Sequence, residues 1–189
     1  IVETVVDGKV VETSAPVKAW VNAWLKLPLN RPAGGSTKSG DFTYSPNDCS
    51  VGDVDGDGEY ELFVKWDPSN SKDYSQNGYT GDVIIDCYKL NGTLLWRIDL
   101  GCNIRAGAHY TQFMVYDFDK DGKAELICKT APGSKDAAGK YVNQVSELSA
   151  IKNADNTKDW RNSNGRIDGG QEYLTAFEGL TGKAIHTIA

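Results

Sequence analysis

Several things are scarce in this 189-residue chain, and each scarcity narrows what it can be. No apolar run approaches the roughly 20 residues a membrane-spanning helix needs, so no membrane partner is expected. No basic segment followed by an apolar stretch opens the chain, so no signal peptide is expected within it. Basic residues are outnumbered, 20 Lys and Arg against 26 Asp and Glu, for a net charge of −6. That balance disfavours nucleic acid, whose phosphates call for Lys and Arg. The four cysteines, Cys49, Cys87, Cys102 and Cys128, include no CxxC pair. They are expected to be buried free thiols, since cysteine behaves as a small core hydrophobe and a hard cation does not choose sulfur. There is a single methionine against twenty glycines, which points to a turn-rich architecture. The first residue is Ile1, which suggests a processed form or a fragment.

What is present is mostly β-pattern. Ile1 to Glu12 reads as two β-branched runs around Asp7-Gly8, a hairpin signal. Residues 1–30 hold too few strands to stand alone and are expected to be the tail of a small β-sandwich domain. A breaker-rich loop at 31–40 marks a boundary, and residues 31–189 form the second unit.

That second unit repeats itself. Asp53-Val-Asp55-Gly-Asp57-Gly58-Glu59-Tyr-Glu61 returns 64 residues later as Asp117-Phe-Asp119-Lys-Asp121-Gly122-Lys123-Ala-Glu125. Each copy runs straight into a strand-like stretch and, after a polar insertion, into a hairpin. The insertions cover residues 68–80 and about 132–171, and the longer one is expected to lie over a binding face. A loop, a strand, an insertion and a strand–turn–strand make roughly one propeller blade, so the expected fold is all-β, with the first blades of a β-propeller. Two units cannot close a propeller, and the last strand reaches the final residues, so the remaining segment of a larger parent is an expected partner.

The DxDxDGxxE loop is built for a hard cation. Asp53, Asp55 and Asp57 present alternate carboxylates to one point, Gly58 permits the sharp turn, Glu59 can offer its carbonyl, and Glu61 closes the shell. Asp117, Asp119, Asp121, Lys123 (by its carbonyl) and Glu125 repeat the assignment. Oxygen-only donors suit Ca²⁺ rather than Zn²⁺. An EF-hand would need an acidic twelfth position, which here is Val64 or Cys128, and a helix where these copies show strand pattern. A metal-free Asp-rich turn would bring four carboxylates together without a counter-charge. Two Ca²⁺ ions would reduce the chain's charge from −6 to about −2.

Other segments are more specific. SPNDCSVGD at 45–53, KWDPSNSKD at 65–73, GYTG at 78–81, LWRI at 95–98 and RAGAHYTQF at 105–113 resemble the opening of the family 11 polysaccharide lyases, the rhamnogalacturonan lyases. The resemblance runs from about residue 20 to the end. It implies a secreted bacterial enzyme with a small β-sandwich followed by an eight-bladed propeller, several structural calcium ions, and cleavage of the Rha-α-1,4-GalA bond of rhamnogalacturonan I by β-elimination. Asn47 and Asp67 match positions that contact rhamnose in such enzymes. Arg105 is a candidate to pair bidentately with a uronate carboxylate, or else with a loop aspartate. His109 is a candidate base or polar wall, or else an interior histidine, and Tyr110 a sugar platform or a core residue. His186 reads as structural, and Trp66 and Trp96 as packing between blades. The competing function is a non-catalytic calcium-bound propeller for glycan binding or adhesion.

Overall fold

A computed structural model describes residues 1–17, 21–107 and 109–189. Residues 18–20, inside the expected first unit, and Ala108, inside the 105–113 segment, lie outside the described residues. The fold is all-β. Two four-stranded antiparallel sheets carry it, each a meander in chain order. The first comprises β5 (Tyr44–Gly52), β6 (Glu61–Pro68), β7 (Ile84–Tyr88) and β8 (Leu94–Asp99). The second comprises β9 (Phe113–Tyr116), β10 (Glu125–Thr130), β11 (Tyr173–Phe177) and β12 (Ala184–Ile188). Each aspartate-rich loop joins the first strand of its sheet to the second, so the strand before the loop belongs to the repeat as much as the strand after it.

Two small hairpins precede the sheets: β1 (Glu3–Val6) with β2 (Lys9–Thr13), and β3 (Gly35–Thr37) with β4 (Gly40–Phe42). The first turns at Asp7 and Gly8 with φ of 49° and 75°, the two positive values a tight two-residue hairpin turn requires. Every residue of β1 and β2 is exposed. By contrast, Leu27 and Leu29 already pack against the first sheet, and the Asn30 N–H donates to Tyr88 Oη at 3.1 Å.

The two central strands of the first sheet, β6 and β7, are buried on both faces, and their two-residue period sorts the side chains. Phe63, Ile85, Cys87, Trp96 and Ile98 face the second sheet, where Leu126, Cys128, Tyr173 and Phe177 meet them. Val64, Trp66, Ile84 and Tyr88 face the other way, under Tyr44 and the two leucines. Trp96 thus packs between the sheets, its indole N–H donating to Gly179 O at 2.7 Å, whereas Trp66 packs on the opposite face of its own sheet. Trp66 sits one pleat out of phase with Phe63, so it does not meet the second sheet. His186 is exposed on β12, where it pairs with Ala176 of β11 in the ladder, in keeping with the structural role expected of it. Cys87 and Cys128 are buried free thiols, but Cys49 is exposed and Cys102 half-buried, because both follow irregular backbone rather than a central strand.

The seam between the sheets leaves no room for side chains at its glycines. Ala124 N–H donates to Asp53 O at 2.7 Å, tying the second loop to the first. A Cβ on Gly179 would stand 1.9 Å from Ala124 O and 2.9 Å from a Val54 methyl. Gly179→Ala is expected to destabilise the protein by about 3 kcal/mol, since backbone must move to admit the methyl. Denaturant melts will read this as a lower midpoint, and an unchanged midpoint would mean the seam is looser than described.

Candidate functional site

The two loops fold alike because their carboxylates are spent first on their own backbone. Asp53 accepts N–H bonds from Gly56 at 2.7 Å and Gly58 at 2.8 Å. Asp117 accepts them from Asp121 at 3.1 Å and Gly122 at 3.0 Å. These bonds, that from Gly58 first, hold the Asp53 carboxyl below its usual range. Such turns need left-handed backbone at two positions: Gly56 and Gly58 in one loop (φ 78° and 86°), Lys120 and Gly122 in the other (φ 66° and 91°). Glu59 and Lys123 each donate their N–H, to Asp57 and Asp121 respectively, at 2.8 Å. The last ligand position in each loop is buried and backbone-bonded: Glu61 accepts from Val54 N–H and Glu125 from Phe118 N–H.

The result is two tight groups of anionic oxygen. Carboxylate oxygens of Asp53, Asp55 and Asp57 lie within 4.8 Å of one another, as do those of Asp117, Asp119 and Glu125. Glu61 and Asp121 stand beside these trios rather than within them. Burial first, then the neighbouring aspartates, pushes Glu125 above its usual carboxylate range, and burial does the same to Glu61. A converging set of oxygen donors that includes two buried glutamates fits a hard divalent cation, which would supply the missing positive charge. In the first loop Lys89 supplies part of it, its Nζ lying 3.0 Å from Asp55 Oδ2 and 3.8 Å from Glu61 Oε1.

A second group gathers at the opposite end of β6. Strand β5 bulges between Pro46 and Cys49, and the bulge holds Asn47 and Asp48, both exposed. A bulge of this kind re-aims side chains away from the ladder. Asp67, near the end of β6, pairs across from Ser45 and accepts a hydrogen bond from the Ser71 hydroxyl at 3.0 Å. Burial raises its pKa, opposed by the Ser71 bond and by Lys65. Lys65 is buried and reaches Asp48 Oδ2 at 2.6 Å and Tyr110 O at 3.3 Å. Lysine recurs at positions 65 and 129, 64 residues apart like the two loops, and that recurrence is the sequence signal that points to Lys65.

The remaining candidates separate. Arg105 is buried, but no carboxylate pairs with it among the described residues; its Nη1 donates to Gly78 O at 3.1 Å and to Gly165 O, and its Nη2 to Gln76 O at 2.7 Å. The loop-aspartate partner expected from sequence is corrected here: three carbonyls take three of the five guanidinium N–H groups, leaving Nε and one N–H of Nη2 for another acceptor. Those carbonyls belong to the two insertions, which meet at Gly78 and Gly165 with no space for a Cβ between them. The longer insertion therefore packs against the shorter one. His109 is not interior: its side chain is 80 % exposed, with Nδ1 3.0 Å from Asp73 Oδ1. Tyr110 is half-buried and lines a cleft beside Arg105.

The geometry can be set beside known proteins. Residues 24–189 match the family model described as rhamnogalacturonan lyase family 11, C-terminal domain. The chain is 57 % identical over 187 residues to the rhamnogalacturonan endolyase YesW of Bacillus subtilis, covering 98 % of this chain and 28 % of that protein. It is 54 % identical to the rhamnogalacturonan exolyase YesX of the same organism, covering 99 % of this chain and 29 % of that protein. The solved structure of a Bacillus licheniformis rhamnogalacturonan lyase PL11 superposes with a TM-score of 0.83 at 55 % identity, over 97 % of this chain and 30 % of that one. The chain thus spans less than a third of the length of the relatives it matches. With more than half its residues under the family model and sequence identity above half to named members, this chain belongs to rhamnogalacturonan lyase family 11.

Proposed function

We propose that the protein carrying this chain is a secreted bacterial lyase that cleaves the Rha-α-1,4-GalA bond of rhamnogalacturonan I, a pectin component, by calcium-assisted β-elimination. The observation that carries the reading is the placement of Asn47 and Asp67. Both sit where β5 bulges away from β6, Asn47 exposed and Asp67 half-buried, beside the pair that buried Lys65 makes with exposed Asp48. A half-desolvated carboxylate beside an open amide suits paired sugar hydroxyls, which need one acceptor and one donor at short range. Secretion follows from the size of the polymer. The alternation of four-stranded meanders supports a further proposal, that residues 31–189 form the first blades of an eight-bladed propeller and that β1–β2 ends a β-sandwich.

Elimination requires that the C5 proton of galacturonate be removed and the C4–O bond be broken, leaving a 4,5-unsaturated uronate. The proton becomes acidic enough only when the adjacent carboxylate is neutralised. Calcium, when bound, would be held by Asp53, Asp55, Asp57 and Glu61 and by Asp117, Asp119, Asp121 and Glu125, with Glu59 and Lys123 offering carbonyls, and would supply fixed positive charge to each loop. His109 has the geometry of a base: Asp73 holds Nδ1, which leaves Nε2 free to accept a proton in the open. Asp67 and Asn47 orient the rhamnose side of the scissile bond.

Asn47→Ala and Asp67→Ala are each expected to weaken sugar binding by about 1–3 kcal/mol, the usual effect of leaving a polar partner unpaired. Initial rates on rhamnogalacturonan at low substrate concentration will measure it, with melting curves as the control for folding. Full activity in either variant under those conditions would remove that residue from the site.

A further inference from the structure

A cleft of about 130 Å³ lies between the first insertion and the second sheet, with Tyr74, Arg105, Tyr110, Thr111, Lys129 and Glu172 among its lining. It is smaller than the about 300–1,000 Å³ typical of sites that enclose a whole ligand, so it fits one end of a sugar unit. Two buried polar atoms in it lack partners among the described residues: Arg105 Nε and Thr111 Oγ1. Their residues are 7 % and 6 % exposed. A buried group left unpaired is expensive, and a buried cation with no counter-ion more so. Arg105 is in that position: burial first, and Arg166 after it, act against its charge.

The surroundings sharpen the point. Lys129 stands at the rim, paired with Glu172, and the Arg166 guanidinium lies 5.4 Å from the centre of the Tyr74 ring. Three cations against one carboxylate make this a positive spot on a chain of net charge −6. Thr111 adopts φ of 58°, a left-handed conformation that β-branched residues resist. Strain of this kind persists where surrounding structure over-determines it. The rings of Tyr74 and Tyr110 add flat apolar walls of the sort that sugar C–H faces pack on.

We propose that this cleft is a subsite for a galacturonate unit of the polymer, its carboxylate received by Arg105 Nε and Thr111 Oγ1 and its ring held by Tyr74 and Tyr110. The assignment rests on the rhamnogalacturonan reading above for the identity of the sugar. It gives Arg105 its missing counter-charge and both orphan atoms a partner. It also connects to the Asn47 and Asp67 group through Tyr110, whose carbonyl accepts from Lys65.

The test is calorimetric titration of the natural protein containing this chain with digalacturonate, with digalacturonate methyl ester and with rhamnose. Digalacturonate should bind, and its ester should bind at least tenfold more weakly. Thr111→Val and Lys129→Met should each weaken digalacturonate by about tenfold, the size of one lost charge-assisted contact, while melting as the parent does. Arg105→Gln should weaken it further, and the other two variants keep the test valid if that one misfolds. Absence of binding, equal affinity for the ester, or unchanged affinity in Thr111→Val and Lys129→Met would overturn the subsite. Rhamnogalacturonan cleavage assayed on the same samples separates the two proposals. Cleavage with unchanged variants defeats the subsite alone, whereas the expected binding pattern without unsaturated product defeats the lyase reading and leaves an acidic-sugar site.

Discussion

Replacing Asp86 with alanine is expected to remove about 3–5 kcal/mol of stability, the range seen when one partner of a buried ionic network is deleted. Asp86 is 0 % exposed at the centre of the first sheet. Its two oxygens accept from Trp66 Nε1 at 2.8 Å, Tyr88 Oη at 2.6 Å, and Arg97 Nε and Nη2, both at 2.7 Å. The tyrosine then accepts from Asn30 N–H, so the network also fastens the segment before β3 to the sheet. Alanine would strand the indole and phenol donors in the core, while the half-exposed Arg97 could turn to water. Asp86→Asn keeps the shape and one acceptor and should lose distinctly less. Urea melts will show the difference as a shift in midpoint at constant slope. A loss under about 1 kcal/mol for the alanine variant would contradict the network's role.

Calcium should act on the same scale by a different route. A ligand that binds only the folded state stabilises it by about 2.7 kcal/mol per site at a hundredfold excess over Kd, so two filled loops would contribute about 5 kcal/mol. A chelator should therefore lower the melting temperature substantially, and added calcium should restore it. The two loops are not equal. Lys89 already contacts Asp55 and Glu61 in the first, and no lysine is paired with the Asp117 trio among the described residues. Asp117→Ala is therefore expected to abolish more of the calcium response than Asp53→Ala. An unchanged melt in excess chelator, with elemental analysis finding no calcium, would remove the metal assignment altogether.

Much of this architecture is legible in the sequence. The DxDxDGxxE spacing located both loops and the strands after them, since a period of two carboxylates followed by glycine has few other uses. Asp7-Gly8 marks a hairpin because a tight two-residue turn needs positive φ, and both residues have it. The strands before the loops were missed. Tyr44–Gly52 contains a proline and a bulge, and Phe113–Tyr116 is only four residues long, so neither shows a clear alternation. The pairing of Lys65 with Asp48 and the fate of Arg105 were illegible for another reason. Each depends on contacts between segments 17 to 60 residues apart, which no local pattern encodes. Position in an apolar-looking segment does not say which face meets a neighbour, so only the structure excludes the interior alternative for His109, whose side chain is exposed.

The account stands or falls most directly on the product formed from rhamnogalacturonan I. Incubating the natural protein that contains this chain with the polymer should generate the ultraviolet absorbance of a 4,5-unsaturated uronate in step with new chain ends. The signal should be absent with a polymer of galacturonate alone and should fall when calcium is chelated. New reducing ends without that absorbance would mean hydrolysis, and polymer bound but left intact would mean a glycan-binding protein; either result would contradict the elimination chemistry proposed for this fold.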